Sequence, residues 1–388
     1  MLQLIQVFLS EKWQVTYAST AINKKNAFDL SNLGIDSVSI ELNNSNFDNF
    51  IVGLQPDIVL FDRFIVEEQF GWRVSETIPN AVKILDTEDL HCLRNAREIA
   101  LKNNTKFIVK DILKNDVAKR EIASILRCDL SLIISTFEME ILKKTAKIDE
   151  NLLHYVPFLF EPITDKQINS LPNLDNRNHF YFIGNFLHKP NYDAVLYLKT
   201  HIWPEISKQI PKAELHIYGA YPSQKVTQLN NKKERFFIKG KLNDLSCLKQ
   251  YKICLSPLRF GAGIKGKLSE AMQNGTPSIT TTIGSEGMHA NLPWNGFVKN
   301  EATEISDAAI NLYTNQKLWK ELQTNGFSII NKLYNKKHHS ALLIDRLYGL
   351  EKNLSKHREA NFIGEILQHH TLKSTKYLSK WIEEKNKV

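Results

Sequence analysis

The apolar positions of this chain switch between two spacings. From Met1 to Trp13 they recur as on a helix, with Leu2, Ile5 and Leu9 in register and Met1, Leu4 and Phe8 alongside. Val15, Tyr17 and Ser19 then alternate as a strand, and strand-length apolar runs follow at 36–42, 57–62, 82–87, 130–135 and 153–159. Between them, 66–77, 90–103 and 115–127 carry helical spacing. Strands alternating with helices predict a parallel sheet covered on both faces.

The alternation resumes after a gap. A strand over 179–183 ends at Gly184, and a helix over 190–210 has Pro190 in its first turn. Strands at 214–218 and 235–239 end at Gly219 and Gly240. A short helix over 244–251, strands at 253–256 and 277–281, and helices through most of 301–355 complete the second unit. The polar, proline-bearing stretch 161–177 reads as the linker. The expected organisation is a first α/β unit over 1–165, a second over 178–350, and a basic helical tail over 351–388. In doubly wound units the ligand lies beyond the carboxyl ends of the strands. Gly184, Gly219, Gly240, Gly284 and Gly287 should therefore face one cleft between the two units.

The densest chemical signal is 257–277. Gly261, Gly263 and Gly266 permit close backbone approach, and Lys265 and Lys267 stand where a helix starts. A helix start with free N–H groups and two cations suits phosphates. Glu270 follows Lys267 on the same helix face, where a carboxylate can accept two hydrogen bonds from a vicinal diol such as a ribose. A diphosphate and a ribose together imply a nucleotide.

Composition narrows the partners. The 388 residues are ordinary in apolar and charged content and contain no apolar run of membrane-spanning length. Cys92, Cys128, Cys247 and Cys254 have no C-x-x-C spacing and suit reduced thiols in a cytoplasmic protein. Of the net charge of +8, about +6 falls in 331–388, where twelve Lys/Arg face six Asp/Glu. That tail is either a solvated helical surface or a point of peripheral contact with an anionic membrane. Zinc-finger and RNA-binding strand motifs are missing from the sequence, which argues against a nucleic-acid partner. No metal is expected: His338-His339 and His369-His370 are adjacent pairs that cannot face one ligand from a helix, and there is no D-x-D motif.

The 257–277 stretch resembles the donor-site signature of retaining family-4 glycosyltransferases with the GT-B fold, in which a glycine-rich loop precedes a helix bearing Lys-x-x-Glu-Ala. The resemblance implies that Lys265, Lys267 and the amides around Gly261 and Gly263 hold a donor diphosphate, and that Glu270 holds the nucleotide ribose. Many members carry a second Glu, facing the sugar, at the position occupied here by Ala262. Asp89 and His91 lie at a strand's carboxyl end, and the segment resembles the region whose His approaches the donor sugar. The loop at Gly184 resembles one that binds donor phosphates, a role open here to Lys189. The stretch around Gly240 resembles the loop that cups the base, and Gly284-Ser285-Glu286-Gly287 resembles the second glycine loop, with Glu286 set to touch sugar hydroxyls. The aromatic and charged stretch 61–73, including Arg63 and Arg73, is either an acceptor-facing loop or an interdomain packing segment.

The reaction so implied is sugar transfer from a nucleoside diphosphate sugar to a glycan or lipid-linked acceptor, with retention, no cofactor and no protein nucleophile. Two other readings share the fold: a sugar-nucleotide epimerase, for which no acid–base pair stands out, and a catalytically weak nucleotide-sugar-binding protein. A third is a membrane-associated assembly component acting through the basic tail. Relatives of this type open with a strand and glycine loop before the first helix, whereas this sequence starts inside the helix. Either Met1 is an internal methionine of a longer reading frame, which is the expectation, or the strand is absent.

Overall fold

The computed structural model describes residues 1–21 and 28–386, with the backbone alone at 370–373. The first unit runs α1 (Leu2–Ser10), β1 (Thr16–Ser19), β2 (Asp36–Ser39), α2 (Asn46–Leu54), β3 (Ile58–Asp62), α3 (Phe64–Thr77), β4 (Val82–Asp86), α4 (His91–Lys102), α5 (Asp116–Arg127), β5 (Leu130–Ile133), α6 (Thr136–Glu140) and β6 (Leu153–Tyr155). Strands β3-β4-β5-β6 form a parallel sheet in that order, and β1 and β2 pair in parallel with each other. Side chains on β4 point alternately to two cores, as the pleat requires. Ile84 joins Leu4, Val7 and Leu343 on one face, while Leu85 joins Phe70, Val74, Leu93 and Ile125 on the other.

A short helix, α7 (Asp165–Asn169), leads to the second unit: β7 (Asn178–Ile183), α8 (Lys189–Tyr197), α9 (Trp203–Gln209), β8 (Leu215–Tyr218), α10 (Gln224–Thr227), β9 (Phe236–Gly240), β10 (Tyr251–Ser256), α11 (Gly266–Gln273), β11 (Ser278–Thr280), α12 (Thr282–Ser285), β12 (Gly296–Val298), α13 (Ala302–Thr314) and α14 (Gln316–Leu333). Its six parallel strands are ordered β12-β11-β10-β7-β8-β9. Chain direction across the sheet reverses between β7 and β10, which makes their carboxyl ends the topological switch point where α/β sheets bind ligands. Phe180 and Phe182 pack beneath α8, α9 and α13, and Tyr181 turns to the opposite core with Leu268, Met272 and Ile330.

The parallel α/β architecture expected from the alternation is present in both units. The helix expected over 190–210 is broken into α8 and α9 by a π turn over Leu198–Ile202. Pro204, which lacks an N–H, follows that turn and opens α9. Helix α2 and strand β12 were not anticipated. The second of these is three residues long and begins at Gly296, at φ +158°, where a Cβ would lie 1.8 Å from the Ser278 carbonyl oxygen.

Two long helices end the chain. From α14, α15 (Lys336–Ala360) and α16 (Phe362–Lys385) return to the first unit. Arg358 grips both carboxylate oxygens of buried Asp129, at 2.7 and 2.8 Å. Asn361 and Gln368 donate to the carbonyls of Leu126 and Arg127, which the end of α5 leaves without helical partners. Among the described residues no helix is long and apolar enough to cross a membrane.

Candidate active site

The switch point carries the site. Loop 257–265 leaves β10, turns through Gly261 (φ +153°) and Gly263 (φ +64°), and delivers Lys265 as the N-cap of α11. The Lys265 ammonium folds back onto the Gly263 carbonyl at 2.6 Å. Lys267, in the first turn of α11, points across to α8, where its ammonium meets Asn191 Oδ1 and lies 4.2 Å from the Phe182 ring centroid. Burial pushes the Lys267 pKa down to about 7 and that of Lys265 down to about 8. Glu270 lies beside Lys267, and burial raises its pKa, with Lys267 opposing. Among the described residues the Glu270 carboxylate makes no hydrogen bond. Two reluctant cations and an unengaged carboxylate at a helix start form an arrangement that an anion carrying a diol would complete.

Three strand-end glycines flank this group. Gly184 accepts no side chain because a Cβ would stand 2.6 Å from Asn191, whose amide closes the loop by donating to Asn185 O at 2.8 Å. A Cβ on Gly219 would lie 2.2 Å from the Gly184 carbonyl, and Gly219 N–H donates to the carbonyl of Gly240 (φ +74°) at 2.8 Å. On the other side, Gly284 is pressed against Thr280 and donates to the N-cap hydroxyl of Thr281.

The first unit closes over these loops. A Cβ on Gly263 would stand 2.8 Å from Asp89 Cβ, and one on Gly287 would stand 2.3 Å from Ser135 Oγ. These glycines therefore permit contact between the units. His91 begins α4 with its ring 3.3 Å from Asp89 Oδ1 and edge-on to Phe64. Burial holds its pKa down to about 4, so the imidazole is neutral at physiological pH. Asp89 also pairs with Arg94. Arg63, at φ +71°, stands half-exposed at the end of β3 beside Asp62. The start of α4 is closed to a ligand, because buried Glu121 accepts from the N–H groups of His91 and Cys92 at 2.9 and 2.8 Å.

Several expected roles change. Arg73 does not face the cleft. It is buried under the tail, paired with Asp48 at 2.6 Å and bonded to Ser379 of α16, and the stretch 64–73 is helical with Glu67 and Arg73 turned inward. Glu286 has both carboxylate oxygens on Arg97, at 2.9 and 2.7 Å. Lys189 points to the first unit and pairs with Glu98 at 3.0 Å. Asn191 lies inside α8 and holds Lys267. One residue had no sequence signal. Buried Glu138 on α6 accepts from Leu90 N–H at 3.0 Å and, across the units, from Gly263 N–H at 2.7 Å. Burial, reinforced by Asp89, raises its pKa to about 8. A cavity of about 300 Å³ opens beside this junction, between Thr136, Phe137 and Glu140 of the first unit and Ser285, Gly287 and His289 of the second.

Residues 177–315 match the family model described as glycosyl transferases group 1. The match falls within the second unit. A similar chain from Klebsiella pneumoniae, described as an uncharacterized 44.6 kDa protein in the cps region, is 25% identical over 171 residues. The match covers 40% of this chain and 42% of that protein, so less than half of the relative's length is spanned. Among solved structures, sucrose-phosphate synthase from Thermosynechococcus elongatus superposes with a TM-score of 0.66 at 16% identity, over 89% of this chain and 91% of that one. Anabaena HepE, in complex with UDP and glucose, superposes with a TM-score of 0.64 at 12% identity, over 90% and 95% of the two chains. The fold is GT-B.

Proposed function

We propose that the protein transfers a sugar from a nucleoside diphosphate sugar to a glycan or lipid-linked acceptor, with retention of configuration and without a metal. The observation that carries this reading is the placement of Lys267 and Glu270, one turn apart on α11, at the switch point between β7 and β10 and under the closing first unit. The complex of similarly folded HepE with UDP and glucose supports the same class of donor.

In this reading Lys267, Lys265 and the loop amides stabilise the charge that grows on the departing diphosphate. Preorganised donors of this kind are each worth about 3–4 kcal/mol in the transition state. Glu270 accepts from both ribose hydroxyls and so places the donor. The acceptor hydroxyl attacks from the face the diphosphate leaves, and a diphosphate oxygen takes its proton. Neutral His91 offers a hydrogen bond to the sugar without adding charge, and closure of the units excludes water. Work at the cytoplasmic side fits the thiols, since Cys92, Cys128 and Cys254 are buried and all four cysteines are free.

A thermal-shift series with UDP, GDP, ADP, dTDP and CMP tests the donor site and selects the base. No shift from any of the five, in protein that melts cooperatively, would remove the assignment. Glu270→Gln is expected to weaken the selected ribonucleoside diphosphate by roughly tenfold to a hundredfold, the value of hydrogen bonds to a charged group. It should also erase the wild type's preference over the 2′-deoxy analogue. A preference that survives the substitution would place the ribose elsewhere.

The tail bears on where the acceptor is met. Helix α16 turns Phe362, Ile363, Tyr377, Leu378 and Trp381 to solvent, with Trp381 60% exposed. Aromatic and aliphatic residues on a basic tail support peripheral contact with an anionic membrane. Salt-sensitive co-sedimentation with phosphatidylglycerol vesicles is the expected result, and no binding at low salt would rule the contact out.

A further inference from the structure

Both glycine loops of the second unit are held by one side chain from the first. Arg97 lies on α4, one turn beyond Arg94, and its side chain is only 5% exposed. Its Nη1 donates to the Gly261 carbonyl and to Glu286 Oε1, each at 2.9 Å, and its Nη2 donates to Glu286 Oε2 at 2.7 Å. The guanidinium lies between the rings of Phe107 and Phe137, with centroids at 5.2 and 5.5 Å. Gly261 belongs to the loop that ends at Lys265, and Glu286 ends α12 in the other loop. A planar five-donor fork is the one side chain that can meet a carboxylate in two places and a carbonyl in a third.

We infer that Arg97 is the positioning residue that couples closure of the two units to assembly of the donor site, by clamping the first glycine loop at Gly261 and the second at Glu286. The inference rests on the donor-site reading above. It makes the site incomplete in the second unit alone. Lys267 and Glu270 belong to α11 and can bind a nucleoside diphosphate in an open molecule, while the amides and Lys265 take their working positions only when Arg97 engages. The clamp also decides what Lys265 faces. Glu286 is the charge that most favours the Lys265 ammonium, and Arg97 opposes it. With its carboxylate committed to Arg97, Glu286 leaves the Lys265 ammonium for a diphosphate. Released, it competes for that lysine. The pair Glu98–Lys189 and the Glu138–Gly263 bond close the same seam on either side.

Arg97→Met is the informative variant, because a linear apolar chain can still fill the gap between Phe107 and Phe137. Three quantities are read on wild type, Arg97→Met, Glu286→Gln and the double variant. They are affinity for UDP, turnover of UDP-glucose (or the matching pair for whichever base the thermal series selects), and the radius of gyration by small-angle scattering. Arg97→Met is expected to melt cooperatively, keep diphosphate affinity to within about tenfold, and lose turnover by roughly a hundredfold, the cost of a site misplaced by about 1 Å. It should also scatter as a wider molecule than wild type. Adding Glu286→Gln should cost nothing more, since the two side chains act as one unit. Unchanged turnover and unchanged radius, equal losses in affinity and turnover, or additive losses in the double variant would each overturn the inference. The scattering arm needs no substrate. A wild type that binds none of the diphosphates, yet opens on Arg97→Met, would keep the clamp and remove the functional reading. A wild type that binds and turns over, with an indifferent Arg97→Met, would do the reverse.

Discussion

Lys267→Met is expected to lower turnover by roughly a hundredfold to a thousandfold, as removal of one preorganised donor does, and at the same time to raise the melting temperature of the ligand-free protein. The opposite signs have one cause. The Lys267 ammonium sits against the Phe182 ring with a single amide oxygen as partner, and burial pushes its pKa from 10.5 down to about 7. Between those two values the unfolded chain binds more protons than the folded one, so the contribution of this lysine to stability rises with pH across the window. Below about pH 7 its cost is complete. Methionine fills the same space with no charge to desolvate, and the slope from this group disappears. A diphosphate reverses the balance by supplying the missing counter-charge, so binding at about pH 8 should take up a proton in the wild type and less in the variant. Calorimetry in two buffers of different ionisation heat reads that uptake directly. A variant that melts lower and binds UDP, GDP and ADP as tightly as wild type would show Lys267 to be a structural residue.

What the sequence disclosed was local, and what it concealed was distant. The alternation of apolar spacings marked most strands to within a few residues because a buried parallel strand needs an unbroken apolar run. The Lys267–Glu270 spacing and the glycines of 257–266 were legible because loop, helix start and first turn are contiguous. Gly263 and Gly287 were legible as glycines, although their reason was not: each makes room for a residue of the other unit, Asp89 and Ser135. The closing contacts left no such trace. Glu138 meets Gly263 across 125 positions, and Arg97 meets Glu286 across 189. The two carboxylates nearest Arg97 in sequence went to other partners, Asp89 to Arg94 and Glu98 to Lys102 and Lys189. Arg73 was misread for a related reason. A charge among aromatics looks like a binding surface until the element that covers it is known, and here the cover is α16, with Ser379 lying 306 positions away.

The same inward turn of charge on α3 sets the largest expected effect on stability. Glu67 and Arg127 face each other between α3 and α5, with only 3% and 4% of their side chains exposed. Arg127 Nε donates to Glu67 Oε1 at 2.9 Å, its Nη2 donates to Oε2 and to Ser124 Oγ, and Gly71 supplies the space, since a Cβ there would lie 2.7 Å from the carboxylate. Removing one partner leaves the other charged and unsolvated, so Arg127→Met and Glu67→Leu should each cost about 3–5 kcal/mol. The double replacement puts apolar volume on both sides and strands nothing. It should recover most of that loss, because the desolvation of two ions is then avoided along with their attraction. Urea unfolding of the four proteins measures the cycle. A double variant as unstable as the sum of the singles would mean that Glu67 and Arg127 contribute independently and not as a pair, and would overturn this account of how α3 and α5 dock.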